Sequence, residues 1–188
     1  VDGLLAEVGL PGLGDRETSD LSGGQQQRVA IAAALARSPR LLIADEVTSM
    51  VDPAGRDDLL ALLAGLPRRR GITVVLITHR GSEAASADRV IHLDAGRVQP
   101  EAPQWVHDDV DVHPASAVLQ DAVPYDAAPI PILTLDHVGY TYLRGSPWEV
   151  EALRDVSLTV NRGDGLLIVG GNGSGKTTLA WIMAGLTV

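Results

Sequence analysis

The sequence predicts an α/β fold in which a parallel sheet forms the core and a smaller antiparallel β subdomain lies beside it. Short runs of Leu, Val, Ile and Ala, typical of strands buried on both faces, alternate with segments of helical periodicity. Apolar residues make up 45% of the 188 residues, whereas aromatic residues make up only 3% and Phe is absent. Aliphatic side chains must therefore fill the core.

The first predicted helix is rich in alanine and lies within residues 20–37. Ser22 is a suitable N-cap for it, and Ser38-Pro39 should end it. The apolar run 41–44 that follows predicts a short strand buried on both faces.

The second predicted helix begins with Asp52 as its cap and Pro53 in its first turn. Its leucines fall at helical spacing and should form one buried stripe: Leu59, Leu62, Leu63 and Leu66. Pro67 is expected to end it. A β-branched strand over 72–78, a short helix near 82–87 and a hairpin at Asp94-Ala95-Gly96 should follow.

The composition changes at Gln99, and residues 99–131 include six prolines, the last of which is Pro131. We interpret 99–131 as a linker. Beyond it, the sequence predicts strands over 132–142, 149–160 and 166–169. A helix over 176–184 follows, ended by Gly185.

Bulk composition excludes several classes of function. The net charge of −9 argues against a nucleic-acid partner, which usually requires a basic surface. The absence of cysteine rules out disulfides and thiolate metal sites. No apolar run approaches the ~18 residues of a membrane-spanning helix.

A complete phosphate-loop motif, G-x-x-x-x-G-K-[ST], lies between the last strand and the last helix. Glycines let backbone N–H groups turn toward phosphate oxygens, and the helix start adds positive potential. The lysine can reach the β- and γ-phosphates of a nucleotide, and the threonine hydroxyl can bind Mg²⁺. The predicted nucleotide-binding residues here are Gly170, Gly171, Asn172, Gly173, Ser174, Gly175, Lys176, Thr177 and Thr178.

Two carboxylates, Asp45 and Glu46, follow the predicted strand 41–44. Ligands bind at this edge of open α/β sheets. Asp45 is therefore a candidate Mg²⁺ ligand together with Thr177, and Glu46 is a candidate to orient or deprotonate an attacking water. A strand that simply ends in solvated acids is the alternative.

The run Leu21-Ser22-Gly23-Gly24-Gln25 resembles the LSGGQ signature of ATP-binding-cassette (ABC) ATPases, a family of P-loop NTPases. Its glycines permit close backbone approach, and Ser22 and the helix start offer donors to a γ-phosphate. The signature helix and the acidic pair follow one another as they do in that family, although Val47 replaces the usual proline after the catalytic glutamate.

The resemblance implies roles for three further residues. Asp52 corresponds to the aspartate of the family's D-loop, and His79 to the switch histidine that contacts the γ-phosphate. Tyr142, with Tyr140 as the alternative, corresponds to the aromatic residue that stacks on adenine. A strand tyrosine packed on its neighbours is the competing interpretation.

The order of these motifs is permuted, because in one ABC domain the phosphate loop precedes the signature. We interpret 1–98 as the C-terminal part of a first nucleotide-binding domain and 132–188 as the N-terminal part of a second, with both ends of the chain cut. By resemblance, such domains pair head to tail, and each ATP lies between the phosphate loop of one and the signature of the other. Because each site is then incomplete, we expect this piece alone to be a weak ATPase.

Two arrangements of the chain are compatible with this order. The two parts could form one permuted core, which would place Lys176 beside Asp45 and Glu46. Alternatively, Ser22 could face Lys176 across a domain interface. We favour the permuted core, because a continuous sheet buries more apolar area.

The resemblance implies an ATP- and Mg²⁺-dependent ATPase that powers transport through separate transmembrane subunits and acts at the inner face of the cell membrane. The run DEVTSMVDP and the fused arrangement resemble energy-coupling-factor ATPases, which import vitamins or metal ions. The alternative is a tandem ABC ATPase that acts on ribosomes. Those proteins usually have Asn-His where this chain has Ser49-Met50.

Overall fold

The computed structural model describes residues 1–49, 51–100 and 129–187. The central part of the predicted linker, residues 101–128, lies outside the described residues. The four α-helices are α1 (Asp2–Glu7), α2 (Gly23–Leu35), α3 (Pro53–Arg70) and α4 (Lys176–Met183). The strands are β1 (Leu41–Asp45), β2 (Thr73–Thr78), β3 (Arg89–Asp94), β4 (Arg97–Gln99), β5 (Pro131–Tyr142), β6 (Val150–Asn161) and β7 (Gly165–Val169). Short 3-10 helices cover Thr18–Asp20 and Gly81–Ser86.

One sheet contains strands from both parts of the chain, in the order β1-β2-β7-β3-β4. Strand β7, which precedes the phosphate loop, lies between β2 and β3 and is parallel to both. The register pairs Ile77 with Ile168 and Thr78 with Val169. The sheet is thus continuous across the two sequence segments, as the permuted core requires.

The antiparallel subdomain is the two-stranded pair of β5 and β6. Its register shifts between Leu135 and Val138, and this irregularity includes His137 in a left-handed conformation (φ 50°). The backbone N–H of Arg154 donates to the carbonyl of Gly96, so β6 is fixed to the β3–β4 hairpin. The predicted α/β class with an antiparallel β subdomain is therefore confirmed.

The two faces of the parallel sheet bury separate aliphatic clusters. On one face, helices α1, α2 and α3 pack against β1 and β2, and the predicted leucine stripe of α3 is buried, with Leu59 and Leu66 fully inaccessible. On the other face, α4 and the β5–β6 pair cover β2 and β7. Because burial of aliphatic area is the main stabilising term in folding, each segment depends on the other for its core.

The prediction that Pro67 ends the second helix is wrong. Helix α3 continues through Pro67 to Arg70 and ends at Gly71, which adopts the left-handed conformation and donates to the carbonyl of Pro67. A proline within a helix removes one hydrogen bond, but here the last turn remains anchored by the buried side chain of Leu66.

Helix α1 was not predicted from sequence, and α2 ends at Leu35 rather than Arg37. Within the part of the chain that is described, no helix combines the length and apolar character needed to span a bilayer.

Candidate nucleotide-binding site

The predicted phosphate loop lies at the carboxyl end of β7 and leads into α4. Its outer side is packed against backbone: a Cβ on Gly170 would lie 2.2 Å from the carbonyl oxygen of Leu93, and one on Gly175 would lie 2.5 Å from that of Ala152. A Cβ on Gly171 or Gly173 would meet nothing within 4 Å. The loop is therefore held against backbone at Gly170 and Gly175 and is open at Gly171 and Gly173, which leaves room for a phosphate group.

Lys176 is the only lysine in the sequence, and its side chain is 5% exposed. Its Nζ donates to the carbonyl oxygens of Gly170 at 2.9 Å and Gly171 at 3.0 Å. The same Nζ lies 3.9 Å from Oε1 of Glu46. Because β2 pairs with both β1 and β7, the acidic pair and the phosphate loop emerge at the same edge of the sheet.

Glu46 lies between Lys176 and His79, whose Nδ1 is 3.3 Å from Glu46 Oε1. It follows β1 directly and adopts a left-handed backbone conformation (φ 49°), while its N–H donates to the carbonyl of Ile77. A non-glycine residue with positive φ is uncommon and is often found at functional sites. The structure thus brings together three residues that were predicted separately.

Asp45 is the last residue of β1, paired in register with Ile77. Its Oδ1 is buried and has no hydrogen-bond partner among the described residues. A buried carboxylate oxygen without a donor is unfavourable in isolation. A carboxylate oxygen and a hydroxyl, here those of Asp45 and Thr177, are donors of the type that a hard cation takes, although only Thr177 lines the cavity described below.

A cavity of about 480 Å³ lies over the loop, within the range typical of small-molecule sites. Tyr142 lines it, and its hydroxyl is 3.0 Å from Oγ1 of Thr178. Tyr140 instead packs edge-on against Tyr142, with 4.9 Å between ring centroids, and accepts a hydrogen bond from Thr187. The lining residues are Glu46, Tyr142, Val150, Glu151, Ala152, Asn172, Gly173, Ser174, Gly175, Lys176, Thr177 and Thr178.

Three residues of that lining, Val150, Glu151 and Ala152, were not predicted from sequence. They belong to β6 and reach the cavity because the carbonyl of Ala152 approaches both Gly96 and Gly175. No motif marks them, and only the packing of β6 against the loop places them there.

The signature residues form the start of α2. Ser22 is its N-cap, as predicted, and a reciprocal pair of bonds joins it to Gln25: the Gln25 N–H donates to Ser22 Oγ at 3.3 Å, and the Ser22 N–H donates to Gln25 Oε1 at 3.0 Å. Ser22 and Gly23 are exposed, and Gly24 packs beside Val51. Within the described ranges, the cavity lining includes none of these residues.

Asp52 is placed as the N-cap of α3, where its Oδ1 accepts from the N–H of Gly55 at 3.0 Å. This confirms the predicted cap. The side chain is exposed and does not line the cavity, so its contact with nucleotide stays a prediction.

A model of the family described as "ABC transporter" matches residues 1–49 and 153–188, which include the signature, the acidic pair and the phosphate loop. The chain belongs to the ABC ATPase family. An uncharacterized ABC transporter ATP-binding protein of Mycobacterium tuberculosis is 53% identical over 98% of the chain, which covers 25% of that relative.

Two further relatives match about half of the chain. An energy-coupling factor transporter ATP-binding protein of Levilactobacillus brevis is 51% identical over 54% of this chain and 37% of its own length. A sulfate/thiosulfate import ATP-binding protein of Chromobacterium violaceum is 54% identical over 51% of this chain and 26% of its own. The chain thus spans about a quarter to a third of the length of these curated relatives.

Proposed function

We propose that this chain binds ATP with Mg²⁺ in the cavity above the phosphate loop and contributes to ATP hydrolysis in a longer ABC transporter ATPase. The observation that carries the proposal is the 3.9 Å approach of Lys176 Nζ to Glu46 Oε1, beside an open glycine loop. The fold thus places Lys176, the proposed phosphate-binding cation, next to Glu46, the carboxylate that would orient the attacking water. The two residues lie 130 positions apart in the sequence.

Phosphate binding is assigned to the loop backbone and Lys176. The open faces of Gly171 and Gly173 leave room for phosphate oxygens. Lys176 is held in place by two loop carbonyls, which a phosphate can replace as acceptors without moving the lysine far. Such pre-organised cationic donors bind phosphate through charge-assisted hydrogen bonds. Tyr142 is suited to stack on the base, because it lines the same cavity and its hydroxyl is fixed by Thr178.

Asp45 and Thr177 would hold Mg²⁺, because the first offers a buried oxygen without a partner and the second offers a hydroxyl beside the phosphate cradle. When bound, MgATP supplies the transferable phosphoryl group and neutralises part of its charge. Glu46 would orient the attacking water and accept its proton. His79, in contact with Glu46, would hold that carboxylate and reach the γ-phosphate.

The exposed signature helix start requires a partner to complete a second half-site. Gly23 and Gly24 stand at the first positions of α2, where backbone N–H groups have no partner within the helix. We propose that they serve the phosphate loop of a second nucleotide-binding domain or second copy, and that residues 1–98 and 132–188 derive from two tandem domains. A site without that partner would hydrolyse ATP slowly.

Transport is the process that the relatives' names favour. The Levilactobacillus brevis relative is named as a transporter ATP-binding protein, and the Chromobacterium violaceum relative is named as an import ATP-binding protein. We therefore propose that the parent protein drives import, of vitamins, metal ions or another solute, through separate transmembrane subunits at the inner face of the membrane.

Titration calorimetry with ATP and Mg²⁺ tests the binding proposal. Lys176→Ala should raise the dissociation constant at least about tenfold, because a hydrogen bond to a charged group is worth roughly 1.5–3 kcal/mol. Arg162→Ala is a matched control: it removes one positive charge from an exposed turn at the opposite end of β7 and should leave affinity unchanged. Glu46→Gln should retain ATP binding and lose hydrolysis. Equal affinity in the wild type and Lys176→Ala would refute the proposed site.

A further inference from the structure

A buried hydrogen bond joins the two chain segments that carry Glu46 and His79. The hydroxyl of Thr48 donates to Oε1 of Glu83 at 2.8 Å, and each side chain is only 2% exposed. Thr48 follows Glu46 by two residues, and Glu83 follows His79 by four. This bond joins the segment after β1 to the 3-10 helix after β2.

Glu83 is an unusual residue for such a position. Carboxylates are rarely buried without a cationic partner. The second oxygen of Glu83, Oε2, is buried and has no hydrogen-bond partner in the described part of the chain. The Thr48 hydroxyl is therefore an important donor to this carboxylate, and the energetic cost of losing it is correspondingly high.

The Thr48–Glu83 bond and the Glu46–His79 contact link the same two chain segments, and of these four residues only Glu46 lines the cavity. The chain runs from Glu46 to Thr48, the hydrogen bond crosses to Glu83, the chain returns to His79, and His79 contacts Glu46 at 3.3 Å. The buried Thr48–Glu83 bond is fixed by packing, whereas Glu46 and His79 are 36% and 40% exposed. A fixed buried contact can thus hold two exposed side chains at a constant separation.

We propose that Thr48 and Glu83 are positioning residues that set the geometry of Glu46 and His79 for ATP hydrolysis. Neither residue lines the nucleotide cavity, so they would act through the backbone of Glu46 and His79. This inference rests on the proposed function for its catalytic consequence, but the mechanical coupling can be measured without any nucleotide.

Hydrogen exchange of the complete 188-residue chain tests the coupling. Thr48→Val preserves side-chain shape and removes the hydroxyl, so amide exchange should accelerate about tenfold in both segments, 46–51 and 79–86. Thr73→Val is the matched control. Thr73 is equally buried and its hydroxyl binds Asn161 and Gly163 at the far end of β2, so its loss should leave both segments unchanged. Acceleration confined to 46–51 would overturn the proposal.

Conservative variants separate positioning from folding. Thr48→Ser retains the donor and Glu83→Gln retains an acceptor, so both should exchange like the wild type, and they remain measurable if Thr48→Val does not fold. Glu83→Ala removes the acceptor and serves as the reference for loss of the bond. If Thr48→Ser or Glu83→Gln accelerates amide exchange in both segments as strongly as Glu83→Ala, the hydrogen bond is not the coupling element.

ATP turnover supplies the catalytic readout. Thr48→Val should lower kcat roughly tenfold or more, with the ATP dissociation constant within about twofold of the wild type, because misplaced reacting groups slow chemistry rather than binding. Thr48→Ser should restore kcat. A loss of affinity equal to the loss of kcat would contradict a positioning role. Failure of the wild type to bind ATP would refute the proposed function, whereas the exchange result would still decide the coupling.

Discussion

Helices α2 and α4 both begin at a glycine-rich sequence, but only α2 has side chains that cap its first backbone N–H groups. The start of α2 is capped by its own side chains, Ser22 and Gln25. The start of α4 follows Gly175 in the left-handed conformation (φ 99°) and has no side-chain cap. An uncapped helix start inside a cavity keeps its N–H donors for an external anion. We therefore expect α4 to bind phosphate within this chain, and α2, which is already capped by its own side chains, to offer only its first N–H groups to a partner.

The largest expected effect is a difference in stability between substitutions at two neighbouring glycines of the phosphate loop, Gly170, which is packed, and Gly171, which is open. Gly170→Ala places a Cβ against the Leu93 carbonyl, so the loop must shift, and we expect a loss of about 1–3 kcal/mol in the free energy of unfolding with loss of ATP binding. Gly171→Ala meets no atom within 4 Å and should unfold like the wild type. Urea unfolding of both variants makes this measurement. Equal stability of the two would show that the loop is not held against β3.

A smaller effect is expected at the capped helix. Ser22→Ala removes the acceptor for the Gln25 N–H and should lower the free energy of unfolding by about 1 kcal/mol, the usual value for an N-cap. ATP affinity of the isolated chain should not change, because Ser22 does not line the cavity. Calorimetry and urea unfolding on the same preparation measure both quantities. Reduced ATP affinity in the monomeric variant would mean that the signature faces its own phosphate loop.

The smallest effect lies on the β5–β6 pair, away from both helix starts. The hydrogen bond and charge of Asp155, together with the charge of Asp136, raise the pKa of His137 above its ordinary value of 6.5. Since the folded-state pKa is the higher one, the stabilising contribution is complete below about pH 6.5 and disappears as the pH rises through the folded-state pKa.

An NMR titration of the His137 imidazole checks this shift. The midpoint of the His137 titration should lie above pH 6.5 in the wild type and should be lower in Asp155→Asn. At each pH, the ATP affinity of Asp155→Asn should equal that of the wild type. An identical midpoint in both proteins would exclude the Asp155 contact as the cause.

Local signals in the sequence were sufficient for most elements of the fold. Ser22, Asp52 and Gly185 have short-range capping or terminating roles, and each was predicted because such contacts depend on residues within one turn. The exception at Pro67 shows the limit of this reasoning. There, the burial of Leu66 and the cap at Gly71 outweigh the local cost of proline within the helix.

The sequence identified the residues of the candidate site but not how they are arranged in space. Motif spacing identified Lys176, Glu46 and His79 separately, whereas their approach depends on β7 lying between β2 and β3. The sequence favoured a permuted core only because a continuous sheet buries more apolar area. The structure shows which strands join the two segments, because β2 pairs in parallel with β7. The contribution of Ala152 and the Thr48–Glu83 bond had no sequence signal, because they arise from contacts between residues distant in the chain.

The central claim is that the phosphate-loop lysine and the acidic pair form one site within a single chain. Zero-length carbodiimide coupling tests it directly, because Lys176 is the only lysine and lies 3.9 Å from the Glu46 carboxylate. Peptide mapping of the monomeric product should show an amide between Lys176 and Glu46, and Glu46→Gln should abolish it. Coupling of Lys176 to Glu17 or Asp20 beside the signature, or only between two copies of the chain, would contradict the account.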